Sequence, residues 1–160
     1  MTETKKSPTL SFEVFPPNSE VGVGKLTDTL DQLKGLHPGF ISVTASNHKL
    51  DYEKTTIDLA KYVHDTLQCP TMVHMPAAYV TKQQVNDILD RLEKMKINQV
   101  LALRGDIVPG YTPETDFKYA SDLTRFIKEQ KPYFEVSGAC YPEVHPDSKN
   151  RIDDVKHLKD

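Results

Sequence analysis

Ser11-Phe12-Glu13-Val14-Phe15-Pro16-Pro17 is the stretch whose pattern decides the fold. Residues 9–15 are rich in aromatic and β-branched side chains, and the two prolines stop the run, so it reads as a short strand leading into a stiff loop. Side chains of a strand alternate between two faces. Ser11, Glu13 and Phe15 therefore share one face, and Leu10, Phe12 and Val14 share the other. A carboxylate in an otherwise apolar strand is costly to desolvate, so Glu13 is expected to be hydrogen-bonded or to keep its proton, the state a general acid needs. The plainer alternative is an edge-strand glutamate that reaches solvent.

Outward from that strand the pattern repeats. Short β-like runs at residues 40–44, 71–75, 99–103 and 134–141 follow at roughly thirty-residue intervals, the length of one strand-plus-helix unit, so about five such units are expected. Apolar residues at helical spacing fill the gaps: Leu26, Leu30 and Leu33; then Tyr52, Thr56, Leu59, Ala60, Val63 and Leu67; then Val85, Ile88, Leu89, Leu92 and Met95. Gly35 reads as a helix stop, Thr81 with Gln84 as a capping box, and Pro132 lies beyond a fourth helix. A fifth helix would begin near Asp153 and run through Val155 and Leu158. The chain ends at Asp160 in mid-pattern, without a C-cap signal, and a continuation past it is expected.

Strict β/α alternation implies parallel strands with helical crossovers, in either an open doubly wound sheet or a closed eight-stranded barrel. Strand polarity separates the two. Alternation groups Ser42 with Thr44, Met72 with His74, Ala102 with Arg104, and Ser137 with Ala139 and Tyr141, so every strand is expected to carry a polar residue near its C-terminal end on one face. An open sheet with two helix layers wants apolar residues on both faces, whereas a barrel lines its active site with inward residues at the strand ends. The expected fold class is α/β, a (β/α)8 TIM-type barrel truncated to about its first five βα units. Residues 1–8 are expected to form a disordered or extended tail, and residues 9–160 the partial barrel.

With 160 residues, 38% hydrophobic and 27% charged, the chain can bury the core of a single domain. A formal net charge of -3, with no basic run beyond Lys5-Lys6, leaves no electrostatic footprint for nucleic acid. The polar N-terminus has no signal-like apolar segment and no apolar run is long enough to span a bilayer, so a membrane is not an expected partner and a cytoplasmic location is. Cys69 and Cys140 each adjoin an apolar run and read as two buried free thiols in a reducing compartment.

Chemistry concentrates at the strand ends. Arg104-Gly105-Asp106 closes the fourth strand, placing a cation and an anion on either side of a glycine that permits close backbone approach to a ligand. His74 falls within the third strand and His145 just past the fifth. The six histidines and two cysteines show no metal-ligand spacing, and no Gly-x-Gly-x-x-Gly or Walker loop is present, so a nucleotide would be held by rim loops. The residues themselves imply a rim of Glu13, Thr44, His74, Arg104, Asp106 and Tyr141 suited to a polar ligand.

Five segments together resemble the methylenetetrahydrofolate reductase family in order and spacing: Ser11-Phe12-Glu13-Val14-Phe15-Pro16-Pro17, Ile41-Ser42-Val43-Thr44, Leu101-Ala102-Leu103-Arg104-Gly105-Asp106, Tyr119-Ala120-Ser121-Asp122-Leu123 and Tyr141-Pro142-Glu143-Val144-His145-Pro146. The resemblance covers nearly the whole chain from Ser11 onward. It implies a barrel that binds FAD at its C-terminal rim and uses NADH or NADPH to reduce 5,10-methylenetetrahydrofolate to 5-methyltetrahydrofolate. Glu13 would be the general acid that protonates the folate so that its five-membered ring opens to an iminium ion. Asp106 would stabilise that cation and tune the flavin. By the same resemblance His74, Arg104, Gly105, Asp106, Tyr119, Ala120, Tyr141, His145, Ser148, Asp154 and His157 surround FAD, and Thr44 and Ala45 lie where nicotinamide and flavin contacts are expected. No metal is implied, and the full-length protein is expected to be a homo-oligomer.

Two segments depart from the family pattern. After Thr44 the family continues with an aromatic residue and a glycine-containing turn, whereas this chain has Ala45-Ser46-Asn47-His48-Lys49. Where the family commonly has His-Leu-Thr-Cys, this chain has His74-Met75-Pro76-Ala77, which removes a hydroxyl and a backbone N–H. The last three strands of such a barrel would lie beyond Asp160, so the 160-residue piece is expected not to turn over and, with two open strand edges, to self-associate. The alternative reading is a non-catalytic half-barrel serving as a binding or subunit-interaction module.

Overall fold

The computed structural model describes residues 9–17, 19–45, 53–106, 110, 112, 114–140, 143–145 and 148–159, with residues 53, 54 and 157–159 described as backbone only. Strands and helices alternate as β1 (Ser11–Val14), α1 (Glu20–Lys34), β2 (Phe40–Val43), α2 (Asp58–Leu67), β3 (Thr71–Pro76), α3 (Lys82–Lys94), β4 (Gln99–Leu103), α4 (Ala120–Gln130), β5 (Glu135–Gly138) and α5 (Arg151–Lys159). The strands follow sequence order in one sheet, β1-β2-β3-β4-β5. A doubly wound sheet reverses its order at a switch point, and this one does not, so the α/β architecture is consistent with part of a TIM-type fold. The chain divides into two compact units, Met1–Met72 and Val73–Asp160.

In the first unit, α1 starts at Ser19, whose Oγ accepts a hydrogen bond from the Gly22 N–H at 3.2 Å, and it ends at Gly35 as its sequence predicts. Leu30 is fully buried, with Leu26 and Leu33 half-buried beside it. α2 buries Ala60, Val63 and Leu67 and is preceded by a π-helical stretch, Glu53–Ile57, which the apolar periodicity does not foretell; Tyr52 lies outside the described residues. Lys34 Nζ donates to the Thr66 carbonyl at 3.4 Å, joining the ends of the two helices. β1 and β2 are parallel, with Phe12 opposite Ile41, Glu13 opposite Ser42 and Val14 opposite Val43. The apolar face is the expected one: Val14, Ile41 and Val43 are buried.

In the second unit, α3 opens with the capping box read from the sequence. Thr81 Oγ1 accepts from the Gln84 N–H at 3.3 Å, and the Thr81 N–H donates to Gln84 Oε1 at 2.9 Å. Val85, Ile88, Leu89 and Leu92 are buried and Met95 is half-buried, so the predicted stripe faces the core. α4 buries Leu123 and Ile127, and the Phe117 and Phe126 rings meet at 5.5 Å. The ends of α3 and α4 are joined by Lys131 Nζ, 2.9 Å from Asp90 and 2.7 Å from Glu93, while the Tyr133 hydroxyl donates to Glu93.

Two expectations need correction. Ala102 and Ser137 do not belong to one face: β4 and β5 are parallel with Leu101 opposite Ser137 and Ala102 opposite Gly138, and partners across a parallel pair point the same way. Val100 and Ala102 are both fully buried and Leu101 and Leu103 half-buried, so the β4 face expected to be polar is the more completely covered one. The thiols also differ. Cys69 is buried, its Sγ 3.6 Å from the Pro38 carbonyl, and burial pushes its pKa up, but Cys140 is exposed because β5 has already ended at Gly138. No helix among the described residues is long and apolar enough to cross a membrane.

Candidate active site

Thr44 follows the last residue of β2 and is buried. Its N–H donates to the Val14 carbonyl at 2.9 Å, and its carbonyl accepts from Thr56 Oγ1 at 3.1 Å. Both backbone groups are satisfied. The side-chain Oγ1, however, is buried with no hydrogen-bond partner among the described residues. A buried hydroxyl that stays unpaired costs about 1–3 kcal/mol, a cost that a polar atom of a ligand would offset. Thr56, which the sequence places on the apolar face of a helix, instead fixes the carbonyl of Thr44. Ala45 is half-buried, and residues 46–49, where the family's turn is altered, lie outside the described residues.

Glu13 is exposed, as is Ser11 on the same face of β1. The expectation that this carboxylate is desolvated within the strand is therefore corrected, and the plainer alternative, an edge-strand glutamate that reaches solvent, is the one observed. The physical reason is that the polar face of β1 is uncovered, whereas Val14 on the opposite face is buried.

In the second unit the turn after β4 is the best-braced part of the candidate site. Arg104 and Gly105 are half-buried and Asp106 is exposed. Gly105 has φ +85°, and a Cβ there would stand 3.0 Å from Pro76 Cβ and 3.2 and 3.3 Å from two carbons of the Tyr79 ring. The glycine is needed for its backbone and for its close approach to these two residues. The Ala78 N–H donates to the Arg104 carbonyl at 2.9 Å, and the Tyr79 hydroxyl donates to the Asp106 carbonyl. His74, on β3, is buried, and Pro76 closes that strand before a 3-10 turn, Ala77–Tyr79.

Further along the loop after β4, Thr115 Oγ1 lies 2.6 Å from the Ala77 carbonyl and accepts from the Phe117 N–H at 3.0 Å. Asp116 accepts from the Lys82 N–H, at the start of α3, at 2.8 Å. Sequence reasoning missed Tyr79, Thr115 and Asp116; each acts on a partner more than 25 residues away, and no local signal marks them. Tyr119 is exposed and caps α4 through its N–H, which donates to Asp122 at 3.0 Å; Ala120 is the first residue of that helix.

His145, Ser148 and Asp154 come together. Asp154 is buried at the start of α5, where one carboxylate oxygen accepts from the His145 N–H at 3.2 Å and the other from Ser148 Oγ at 3.2 Å. The carboxylate therefore holds the loop that carries His145 and Ser148. Tyr141 lies outside the described residues, as does the side chain of His157.

The family model for methylenetetrahydrofolate reductase matches residues 1–160. The chain is 32% identical over 160 residues to the 5,10-methylenetetrahydrofolate reductase of Escherichia coli, a match that covers 99% of this chain and 52% of that protein. It is 33% identical over 162 residues to Methylenetetrahydrofolate reductase 2 of Saccharomyces cerevisiae, covering 96% of this chain and 26% of the yeast protein. Against Methylenetetrahydrofolate reductase (NADH) 1 of Arabidopsis thaliana the identity is 33% over 144 residues, 86% of this chain and 24% of that protein. The chain thus spans about half the length of its bacterial relatives and about a quarter of these two eukaryotic ones. Because the family model matches residues 1–160 and the bacterial relative is 32% identical over nearly the whole chain, the chain belongs to the methylenetetrahydrofolate reductase family.

Proposed function

We propose that the whole protein reduces 5,10-methylenetetrahydrofolate to 5-methyltetrahydrofolate with FAD as cofactor and NADH or NADPH as reductant. The chemistry that bound FAD would supply is hydride transfer between the reduced nicotinamide and the folate. The chain's own residues do the rest. Glu13 protonates the folate and opens its five-membered ring to an iminium ion, and the Asp106 carboxylate stabilises the resulting cation. Arg104, Gly105, His74, Tyr119, Ala120, Tyr141, His145, Ser148, Asp154 and His157 hold the cofactor directly or keep its loops in place. Thr44 and Ala45 contact flavin and nicotinamide.

The observation that carries this reading is the buried Thr44 hydroxyl, whose backbone is fully bonded and whose Oγ1 has no partner among the described residues. Such an atom fits a cofactor with polar ring edges. Arg104 adds a cation suited to a phosphate-bearing group. The same reading makes the whole protein a cytoplasmic homo-oligomer built on an eight-stranded barrel, and the 160-residue chain inactive by itself.

The test is reconstitution of the whole protein with FAD, followed by its visible absorption and by folate-dependent NADH or NADPH oxidation. Retained flavin and folate-dependent turnover are expected. A colourless protein after reconstitution would overturn the proposal. A flavin-free protein that still associates specifically through this region would favour the interaction-module alternative.

A further inference from the structure

The turn that carries Asp106 is not shaped by its own residues alone. It rests on the 3-10 turn after β3, which supplies Pro76 and the Tyr79 ring against Gly105, the Ala78 N–H to the Arg104 carbonyl, and the Tyr79 hydroxyl to the Asp106 carbonyl. Thr115 and Asp116 bind the distal part of the same loop to the carbonyl of Ala77 and the N–H of Lys82. Among these tethers, the Tyr79 hydroxyl is the one that acts on the peptide of Asp106 itself.

We propose that Tyr79 is a positioning residue for Asp106: its ring sets the path of the backbone at Gly105 and its hydroxyl fixes the carbonyl of Asp106, and so the direction in which the aspartate is presented. The inference rests on the proposed role of Asp106 toward the folate cation. A hydrogen bond from a side chain to a carbonyl restrains rotation of the peptide that follows it, and hence the ψ angle of the residue whose carboxylate is to be aimed. Because Thr115 and Asp116 anchor the loop independently, loss of the phenol oxygen releases the aspartate without releasing the loop. Asp106 is exposed, so little packing is available to hold its side chain in one place.

Tyr79→Phe in the whole protein tests this, since it keeps the ring against Gly105 and removes only the donor. Two readouts are used. Hydrogen–deuterium exchange is expected to be about fivefold faster at the amides of residues 104–106, the factor one neutral hydrogen bond is worth, and unchanged in the buried part of α4. In single-turnover kinetics, oxidation of the reduced flavin by methylenetetrahydrofolate is expected to slow about fivefold, while reduction of the flavin by NADH or NADPH keeps its rate.

Unchanged exchange at residues 104–106 overturns the positioning role, and so does faster exchange with an unaltered folate step. Equal slowing of both half-reactions also overturns it, as the mark of a general structural effect. If the wild-type protein fails to bind flavin, the functional reading falls, yet the exchange measurement still decides whether Tyr79 holds the turn.

Discussion

Replacing Gly105 with alanine adds one methyl group where neither the backbone nor the neighbours accept it. The φ of +85° lies in the left-handed region, which costs a residue with a Cβ roughly 1–2 kcal/mol. The new carbon would sit 3.0 Å from Pro76 Cβ and 3.2 Å from the nearest Tyr79 ring atom, so those groups must yield by a few tenths of an ångström. Pro76 is buried at the end of β3 and the Tyr79 ring is tethered through its hydroxyl, so neither moves without cost, and overpacking of this kind adds roughly 1 kcal/mol or more. The total is about 2–3 kcal/mol. Gly110 provides the control: its φ is +78°, but no described residue lies within 4 Å of its added Cβ, so Gly110→Ala is expected to lose only the backbone part, about 1–2 kcal/mol. Urea unfolding measures both, with a midpoint shift of roughly 1 M expected for Gly105→Ala at unchanged slope. Equal losses for the two variants, or a Gly105→Ala protein within about 0.5 kcal/mol of wild type, would refute the reasoning.

Further predictions concern the rest of the chain. Asp154→Ala should cost about 2–3 kcal/mol because it strands the His145 N–H and the Ser148 hydroxyl, whereas Asp154→Asn, which can accept from one and donate to the other, should cost about 1 kcal/mol or less; thermal unfolding of the pair distinguishes them. Hydrogen bonds from Lys131 hold the Asp90 and Glu93 carboxyls below the usual carboxylate range, so their contribution to stability is present above the unfolded-state values, about pH 4, and is lost as pH falls through the lower folded-state values. Lys131→Met should flatten that acid limb in a pH series of denaturant midpoints, and an unchanged slope would count against the clamp. Iodoacetamide should modify Cys140 in the native chain and Cys69 only after unfolding, a contrast that peptide mass mapping reads directly.

Much of the fold was legible because its signals are local. The Thr81–Gln84 capping box, the stop at Gly35 and the stripe Val85, Ile88, Leu89 and Leu92 each depend on residues within a turn or two of one another. Period-two alternation correctly grouped Glu13 with Ser42 across β1 and β2. It failed at β4 and β5, where alternation says which residues of a strand share a face but not which residue of the neighbouring strand each one meets. The exposure of Glu13 was one of two readings the strand allowed, and the residues alone could not choose between them, since burial depends on what covers a face rather than on the strand's own residues. Arg104-Gly105-Asp106 stood out as a turn centred on glycine, but the neighbours that close round that glycine, Pro76 and Tyr79, lie far upstream. Thr44 stood out as a strand-end hydroxyl; that its oxygen is buried with no partner among the described residues emerges only from the fold.

The central claim, that the residue-13 carboxyl delivers a proton to the folate while flavin carries the hydride, is tested most directly by the two half-reactions of Glu13→Gln in the whole, flavin-loaded protein. Glutamine cannot donate that proton, so oxidation of the reduced flavin by methylenetetrahydrofolate is expected to slow on the order of a hundredfold or more, with reduction by NADH or NADPH preserved. A folate step that keeps its wild-type rate would contradict the claim.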